Sequence, residues 1–352
     1  MTATMRAAVY QGPRQIEVQD VPVPAVGPED VLLRVRAVGI CGSDLHVYRK
    51  GLYGAEPGRI MGHEFSGEVV EVGSAVEDVA LGERYTGYSI KTCGACFWCT
   101  AGQPRLCPDL FEHYTGYGVP GAMAEFVRID RARLGENLFA IPDGLDDQQA
   151  AMGEPLGTAI YTMYRVKPKD GDIVVVIGAG MIGNLIVQAL KATADVRVIV
   201  TEMSEERRQL ALQVGADEVI DAARPDLLDA VRAATGPGRY MFGDSGMADI
   251  VIDAAAAPPT FGQALNFVRS KGTVGLVGSA ETPSPADVSL ILYKDIRVVG
   301  IIGSVLPQGL EMLARGGIQT EPLISHRFAL EEAAAAFERA ADASSIKVMM
   351  FP

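Results

Sequence analysis

The chain has 352 residues, 48% of them hydrophobic and 21% charged, with a formal net charge of −13. That length suits two ordinary domains, and that composition suits a packed core. The acidic balance, with no run of lysine or arginine, weighs against nucleic acid and against an anionic membrane surface. A small molecule or a second copy of the chain is the expected partner. No apolar run reaches the roughly 18 residues of a membrane-spanning helix. The opening MTATMRAAVYQ lacks the apolar centre of a secretory leader, so a cytoplasmic location is expected. In a reducing compartment, five cysteines do not read as a disulfide framework.

In chain order, the first third carries short β-type runs at 5–10, 16–20, 31–40, 66–73 and 124–129, punctuated by Gly and Pro. They predict a compact β-rich domain. Within it lies CGACFWCTAGQPRLC, which holds Cys93, Cys96, Cys99 and Cys107 at spacings of two, two and seven residues. Reduced thiols at this density suit a closed tetrahedral zinc site, structural because it has no open position, in a lobe too poor in apolar residues to fold alone. An iron–sulfur cluster is the rival, since CxxCxxC followed by Cys107-Pro108 echoes the ferredoxin run. The spacing to Cys107 is seven rather than three, and nothing else in the chain suits a second cluster. The fifth cysteine, Cys41, stands apart. Downstream lie His63, Glu64 and Glu154. Thiolate, imidazole and carboxylate are the donors of a catalytic zinc that keeps one position for water or substrate. Each residue alone is ordinary; the set carries the argument.

Near residue 145 the pattern turns helical, and then strands and helices alternate. Strands are expected at 172–177, 196–202, 218–220, 249–254, 273–277 and 296–302, with helices at about 181–193, 204–214, 224–234 and 260–269. This predicts a doubly wound parallel sheet. The segment 235–248 is expected to be a mobile, low-order connection. After residue 302 the chain is helical again and ends in the strand IKVMMF. Gly178-Ala-Gly180-Met181-Ile182-Gly183 follows the all-apolar strand and opens a helix, the context in which a GxGxxG binds a dinucleotide. Its glycines allow a tight turn, backbone approach to a pyrophosphate and close helix packing, and the helix N-terminus attracts the phosphates. Glu202, nineteen residues after Gly183, suits hydrogen bonds from the ribose hydroxyls and favours NAD over NADP. Arg207 and Arg208 stand close enough to soften that choice.

The order of these motifs resembles the zinc-dependent medium-chain dehydrogenase/reductase family, in its alcohol, polyol and threonine dehydrogenase branch, over essentially the whole chain. Gly62-His-Glu-Phe-Ser-Gly67-Glu-Val-Val-Glu-Val-Gly73 is similar to the family's zinc signature, and Cys41-Gly-Ser43-Asp-Leu-His46 to the segment with the first catalytic ligand. The resemblance implies an α/β protein with a GroES-like catalytic domain (1–155 and 294–352, with the structural-zinc lobe at 92–108). A Rossmann NAD-binding domain (156–293) would be inserted in it, with the active site in the cleft between. It implies two zinc ions per chain and a homo-oligomer, a tetramer ahead of a dimer. Cys41 and His63 would bind the catalytic zinc, with Glu64 or Glu154 as the carboxylate ligand and only one of these in the inner shell when substrate is bound. Ser43 would take the alcohol proton and pass it through the cofactor ribose to His46. Gly178, Gly180, Met181, Ile182, Gly183, Glu202, Arg207 and Thr158 would line the cofactor.

The implied activity is hydride transfer between a secondary alcohol, giving its ketone, and NAD(H). Polyol dehydrogenases of this kind place an arginine just after the final Rossmann strand. Here Arg297-Val-Val-Gly-Ile-Ile-Gly-Ser304 offers small or apolar residues there, which turns expectation toward a less polar secondary alcohol, cyclic ones included. Tyr48 and Glu154 keep a diol, amino alcohol or sugar derivative open. His113 is placed near the pocket, and His326 has no motif partner. The rival readings are a zinc-independent quinone or enone reductase and a non-catalytic dinucleotide sensor.

Overall fold

Strand formation follows the alternation of the sequence. In Val31–Gly39, Arg34 and Arg36 point to solvent while Leu33, Val35 and Val38 are buried. In a computed structural model, which describes residues 3–352, the chain begins with β1 (Thr4–Gly12), β2 (Gln15–Pro22), β3 (Val31–Gly39), β4 (Arg59–Ile60) and β5 (Glu64–Val72). β6 (Arg84–Gly87), β7 (Phe126–Ile129) and β8 (Leu138–Ala140) follow. β1 pairs antiparallel with β2 and β4. β3 pairs antiparallel with β5 and β7, with Gly39 opposite Glu64. Arg36 and Glu68 form an ion pair across β3 and β5 on the solvent face.

The next strands are β9 (Ile173–Ile177), β10 (Arg197–Glu202), β11 (Glu218–Asp221), β12 (Gly238–Tyr240), β13 (Gly243–Ser245), β14 (Ala248–Asp253), β15 (Val268–Leu276) and β16 (Arg297–Gly300). Six of them form a parallel sheet in the order β11-β10-β9-β14-β15-β16. β9 is IVVVI, with four of its five residues fully covered, as a strand buried on both faces requires. Strand order reverses between β9 and β14, so a crevice opens beyond their C-terminal ends. β17 (Ile324–Ala329) and β18 (Lys347–Phe351) complete the other large sheet, in the order β17-β18-β3-β5-β6-β8 with β7 also on β3.

The chain divides into two compact units. One comprises the chain through Glu154 with Gly309–Gly316 and Ile324–Pro352; the other comprises Pro155–Gln308 and Gly317–Leu323. The expected return to the first domain at 294 comes too early. β16 pairs with β15, so Arg297–Gly300 belongs to the parallel sheet. The segment 235–248 also differs from expectation. It contains the β12–β13 hairpin, tied down where Met247 N donates to Thr235 Oγ1 at 3.0 Å and Ser245 Oγ donates to Val268 O at 3.1 Å. Among the described residues no helix is long and apolar enough to cross a membrane.

Lys294 is 1% exposed and donates to Leu265 O at 2.6 Å, in a core formed by Leu265, Phe267 and Leu290. Burial pulls its pKa down to about 8. The unfolded chain therefore holds a proton there that the folded chain releases between about pH 8 and the ordinary lysine value, and stability gains with pH in that window. Lys294→Met is expected to raise Tm at neutral pH, with the advantage shrinking as pH rises through that range. Calorimetry of both proteins from pH 7 to 10 checks this; a constant difference contradicts it.

Candidate metal centres and nucleotide turn

β3 delivers Cys41 to the start of the helix Gly42–Lys50. Asp44, three residues into that helix run, accepts from Cys41 N at 2.9 Å and fixes the cysteine backbone. Gly62 has φ 99° and almost no room for a β-carbon beside Met123 and Val38, so glycine makes the turn that presents His63. Glu64 opens β5. Cys41, His63 and Glu64 each bring a donor atom within 4.8 Å of the others. His63, Glu64 and Asp44 are 7%, 2% and 3% exposed. Burial alone would lower the His63 pKa. The Cys41 thiolate and hydrogen bond, with Asp44 and Glu154, outweigh it and hold the pKa well above the ordinary histidine value. Asp44 Oδ1 stands 3.9 Å from His63 Nδ1, on the side that orients the ring.

The buried acids Asp44 and Glu64 are faced by His63, held protonated, and by the buried ammonium of Lys347, which bonds Glu64 Oε2 and donates to Ile40 O at 3.0 Å. A divalent cation would take the place of the protons on the Cys41 thiol and the His63 imidazole, and this donor set fits one. One sulfur, one nitrogen and one oxygen, with a position left over, are the zinc ligands expected at a site that works on substrate. Ser43 Oγ is buried beside it, with the Tyr117 hydroxyl as a neighbour. Glu154 is half-buried in the first turn of the helix Gly153–Val166. It acts on His63 through its charge but lies outside the 4.8 Å set.

Aromatic rings wall the cluster. Tyr117 lies 5.4 Å from the His63 ring, 4.9 Å from Phe111 and 6.2 Å from Tyr53, and Tyr53 meets His46 edge-on at 6.1 Å. Sequence reasoning singled out His113 in this run, but Tyr117 is the residue against His63. Asp44, Lys347 and Tyr117 were missed. Only Asp44 had a local signal, a Cys-x-x-Asp at a helix start. Tyr48 does not face a ligand as a spare donor. Its ring packs on Phe337, its hydroxyl bonds Glu338, and burial and that carboxylate push its pKa up to about 12. His326 accepts from Arg339 Nε at 2.8 Å. Arg297 donates to the carbonyls of Arg165 and Val166, both at 3.1 Å.

The sulfurs of Cys93, Cys96, Cys99 and Cys107 also lie within 4.8 Å of one another. Cys93 Sγ stands 3.6 Å from Cys107 Sγ and 4.0 Å from Cys99 Sγ. A tetrahedron with Zn–S bonds of about 2.3 Å has edges of about 3.8 Å, so the spacing fits zinc. Phe97, Trp98 and Leu106 of this lobe are exposed, and the helix Phe97–Thr100 buries nothing. The amides of Ala95 and Cys96 pull the Cys93 pKa to about 7, while burial and its sulfur neighbours push Cys99 to about 11. Four sulfurs this close suit a cation that would displace the protons they otherwise carry.

In the other unit, Gly178 ends β9 with φ 93°, and a β-carbon there would meet Ala255 at 2.9 Å. A β-carbon on Gly183 would collide with Gly178 O, so both glycines serve the fold. Gly180 has ordinary φ of −70° and nothing within 4 Å of its missing β-carbon. That open space at the N-terminus of the helix Met181–Thr193, begun by Met181 and Ile182, fits a pyrophosphate. Glu202 Oε2 accepts from Ala179 N at 2.8 Å, and Oε1 from Met203 N at 2.7 Å and Ser204 N at 3.0 Å. The carboxylate is thereby pinned beside the turn. Arg207 lies in the following helix with its N donating to Ser204 Oγ at 3.3 Å. Thr158 sits in Gly153–Val166, its carbonyl accepting from Thr162 Oγ1 at 2.9 Å.

Comparison with known proteins agrees with this geometry. Residues 27–143 match the alcohol dehydrogenase GroES-like domain, and residues 182–315 match the zinc-binding dehydrogenase domain. The chain is 33% identical to sorbitol dehydrogenase of Bacillus subtilis, over 99% of this chain and 97% of that one. It is 32% identical to L-threonine 3-dehydrogenase of Rhizobium johnstonii, over 99% of each. A zinc-binding dehydrogenase of Sinorhizobium meliloti, solved with NADP, superposes over 100% of both chains with a TM-score of 0.88 at 33% identity.

Elemental analysis of the purified chain is expected to give about two zinc ions, about one after Cys41→Ala and about one after Cys99→Ala. Only the second variant is expected to open residues 92–108 to protease. One zinc in both wild type and Cys41→Ala, or iron in its place, contradicts the assignment.

Proposed function

The chain belongs to the zinc-dependent medium-chain dehydrogenase/reductase family, and within it we propose an NAD(H)-dependent oxidoreductase that interconverts a secondary alcohol and its ketone. The observation that carries this reading is the convergence of Cys41, His63 and Glu64 within 4.8 Å beside the buried Ser43 hydroxyl. Zinc held by those three residues would polarise the alcohol oxygen, and the dinucleotide would supply the redox chemistry. Asp44 holds the Cys41 backbone and faces His63, so both ligands keep their orientation. Ser43 accepts the alcohol proton. His46, three residues on, shares its helix face and passes the proton toward solvent.

Tyr117, Phe111 and Tyr114 give the substrate a largely apolar aromatic wall, polar at the two tyrosine hydroxyls. Tyr48 and Arg297 are engaged elsewhere. Both facts favour a less polar secondary alcohol over an open-chain polyol. The Glu154 charge supports a second reading, an amino alcohol whose ammonium would sit near that carboxylate. That reading accords with the threonine-oxidising relative.

The pinned carboxylate of Glu202 supports NAD, because a fixed negative charge repels a 2′-phosphate. Arg208, the nearby cation, is engaged by Glu205 and Asp221. This choice differs from the NADP in the Sinorhizobium structure. The open edge of β16 and the exposed Val288, Leu292 and Ile302 support self-association; a tetramer ahead of a dimer, and a cytoplasmic location, remain part of the proposal.

Ser43→Ala is expected to lower kcat on the best secondary alcohol by about 10²-fold or more with NAD affinity unchanged. Glu202→Ser is expected to move the NAD-to-NADP ratio of kcat/KM toward NADP by about tenfold. A panel of secondary alcohols, polyols and amino alcohols with each cofactor checks both. NAD binding without turnover of any alcohol would make the chain a dinucleotide sensor. Enone or quinone reduction surviving Cys41→Ala would make it a zinc-independent reductase.

A further inference from the structure

Glu64 sits in a device that spans three neighbouring strands. Lys347 on β18 bonds Glu64 Oε2 on β5, and β3 runs between them. The residue of β3 opposite Glu64 is Gly39. A β-carbon at Gly39 would stand 2.7 Å from Glu64 Oε2 and 3.3 Å from Lys347 Nζ. Its backbone φ lies outside the positive region, so conformation does not require glycine there. The lysine reaches across the space that the missing side chain leaves. Its remaining reach is fixed by Ile40 O at 3.0 Å, one residue before Cys41.

We propose that Lys347 is a positioning residue that holds Glu64 to one-oxygen coordination, and that Gly39 is small in order to let it do so. This rests on the reading of Cys41, His63 and Glu64 as a metal site. A carboxylate beside a divalent cation binds through one oxygen or both. With Oε2 held by an ammonium inside the sheet, Glu64 offers only its other oxygen to the metal. A fourth position then stays open for substrate. Without Lys347 the second oxygen would add to the three donors and the water or substrate position as a fifth ligand, crowding the place that substrate takes.

The test uses the full chain exchanged with cobalt(II), read by the visible d–d band. The spectrum of cobalt-exchanged Cys41→Ala is subtracted to remove the four-cysteine lobe. Lys347→Met is expected to weaken the difference band about twofold or more, as a four-coordinate ion becomes five-coordinate. Gly39→Ala keeps both charged groups but forces them apart, and is expected to weaken the band in the same way. In a Glu64→Gln background, Lys347→Met is expected to change nothing further. Equal spectra for wild type and Lys347→Met, or an equal loss in the Glu64→Gln background, overturn the role of Lys347 and leave the metal site standing. No band removed by Cys41→Ala in the wild-type comparison overturns the metal reading and the proposal with it.

Discussion

Burying anions in a β-sheet wall is the constraint on which the candidate site depends. Asp44 and Glu64 are buried, with Cys41 half-buried between them, where the end of β3 and the start of β5 meet in the middle of one sheet. Lys347 balances one of them. Removing one partner of such a buried pair typically costs about 3–5 kcal/mol, because it strands the other charge. A divalent cation would take the place of the protons on Cys41 and His63, and the donors converge where one would sit. The strand order β18-β3-β5 brings ammonium and carboxylate together, and Asp44 turns the first helical turn into a brace for the thiolate. The same arithmetic governs the cysteine lobe, where almost no apolar burial is available and four sulfurs sit at zinc spacing.

The parallel-sheet unit follows a different rule. Its centre, β9, is covered on both faces, and strand order reverses beside it. Of the three glycines in the turn that follows, packing or backbone conformation demands Gly178 and Gly183. Gly180 is left over by the fold, and the space at its α-carbon is the clearest mark of a ligand. Glu202 is held there by three backbone N–H groups. Its position is thus a property of the turn and not of a flexible side chain.

Much of this was legible in local patterns. CGACFWCTAGQPRLC and the glycine fingerprint declare themselves because their residues meet within a few turns of chain. The alternation from 172 onward shows the doubly wound sheet for a similar reason: its central strands are short covered runs. Cys41, His63 and Glu64 were readable only as a set, because their convergence depends on β3 and β5 pairing. Lys347 was not readable at all; 283 residues separate it from Glu64, and an isolated lysine before an apolar strand carries no sign of burial. Tyr117 was obscured by its aromatic neighbours, which give no period to show which ring turns inward. The hairpin at 238–245 looked like loose chain because glycine and proline dominate its flanks. The early boundary at 294 came from the family resemblance and set aside the strand at 296–302 that the alternation already placed in the sheet.

X-ray absorption at the zinc edge of the purified wild-type chain tests the central claim, that one zinc sits on four sulfurs and another on Cys41, His63 and a carboxylate. The average shell is then expected to hold about 2.5 sulfur and at least one nitrogen or oxygen ligand per zinc, with imidazole scattering beyond it. A shell of about four sulfurs per zinc, with no imidazole signal, would place all the metal in the cysteine lobe and contradict the account.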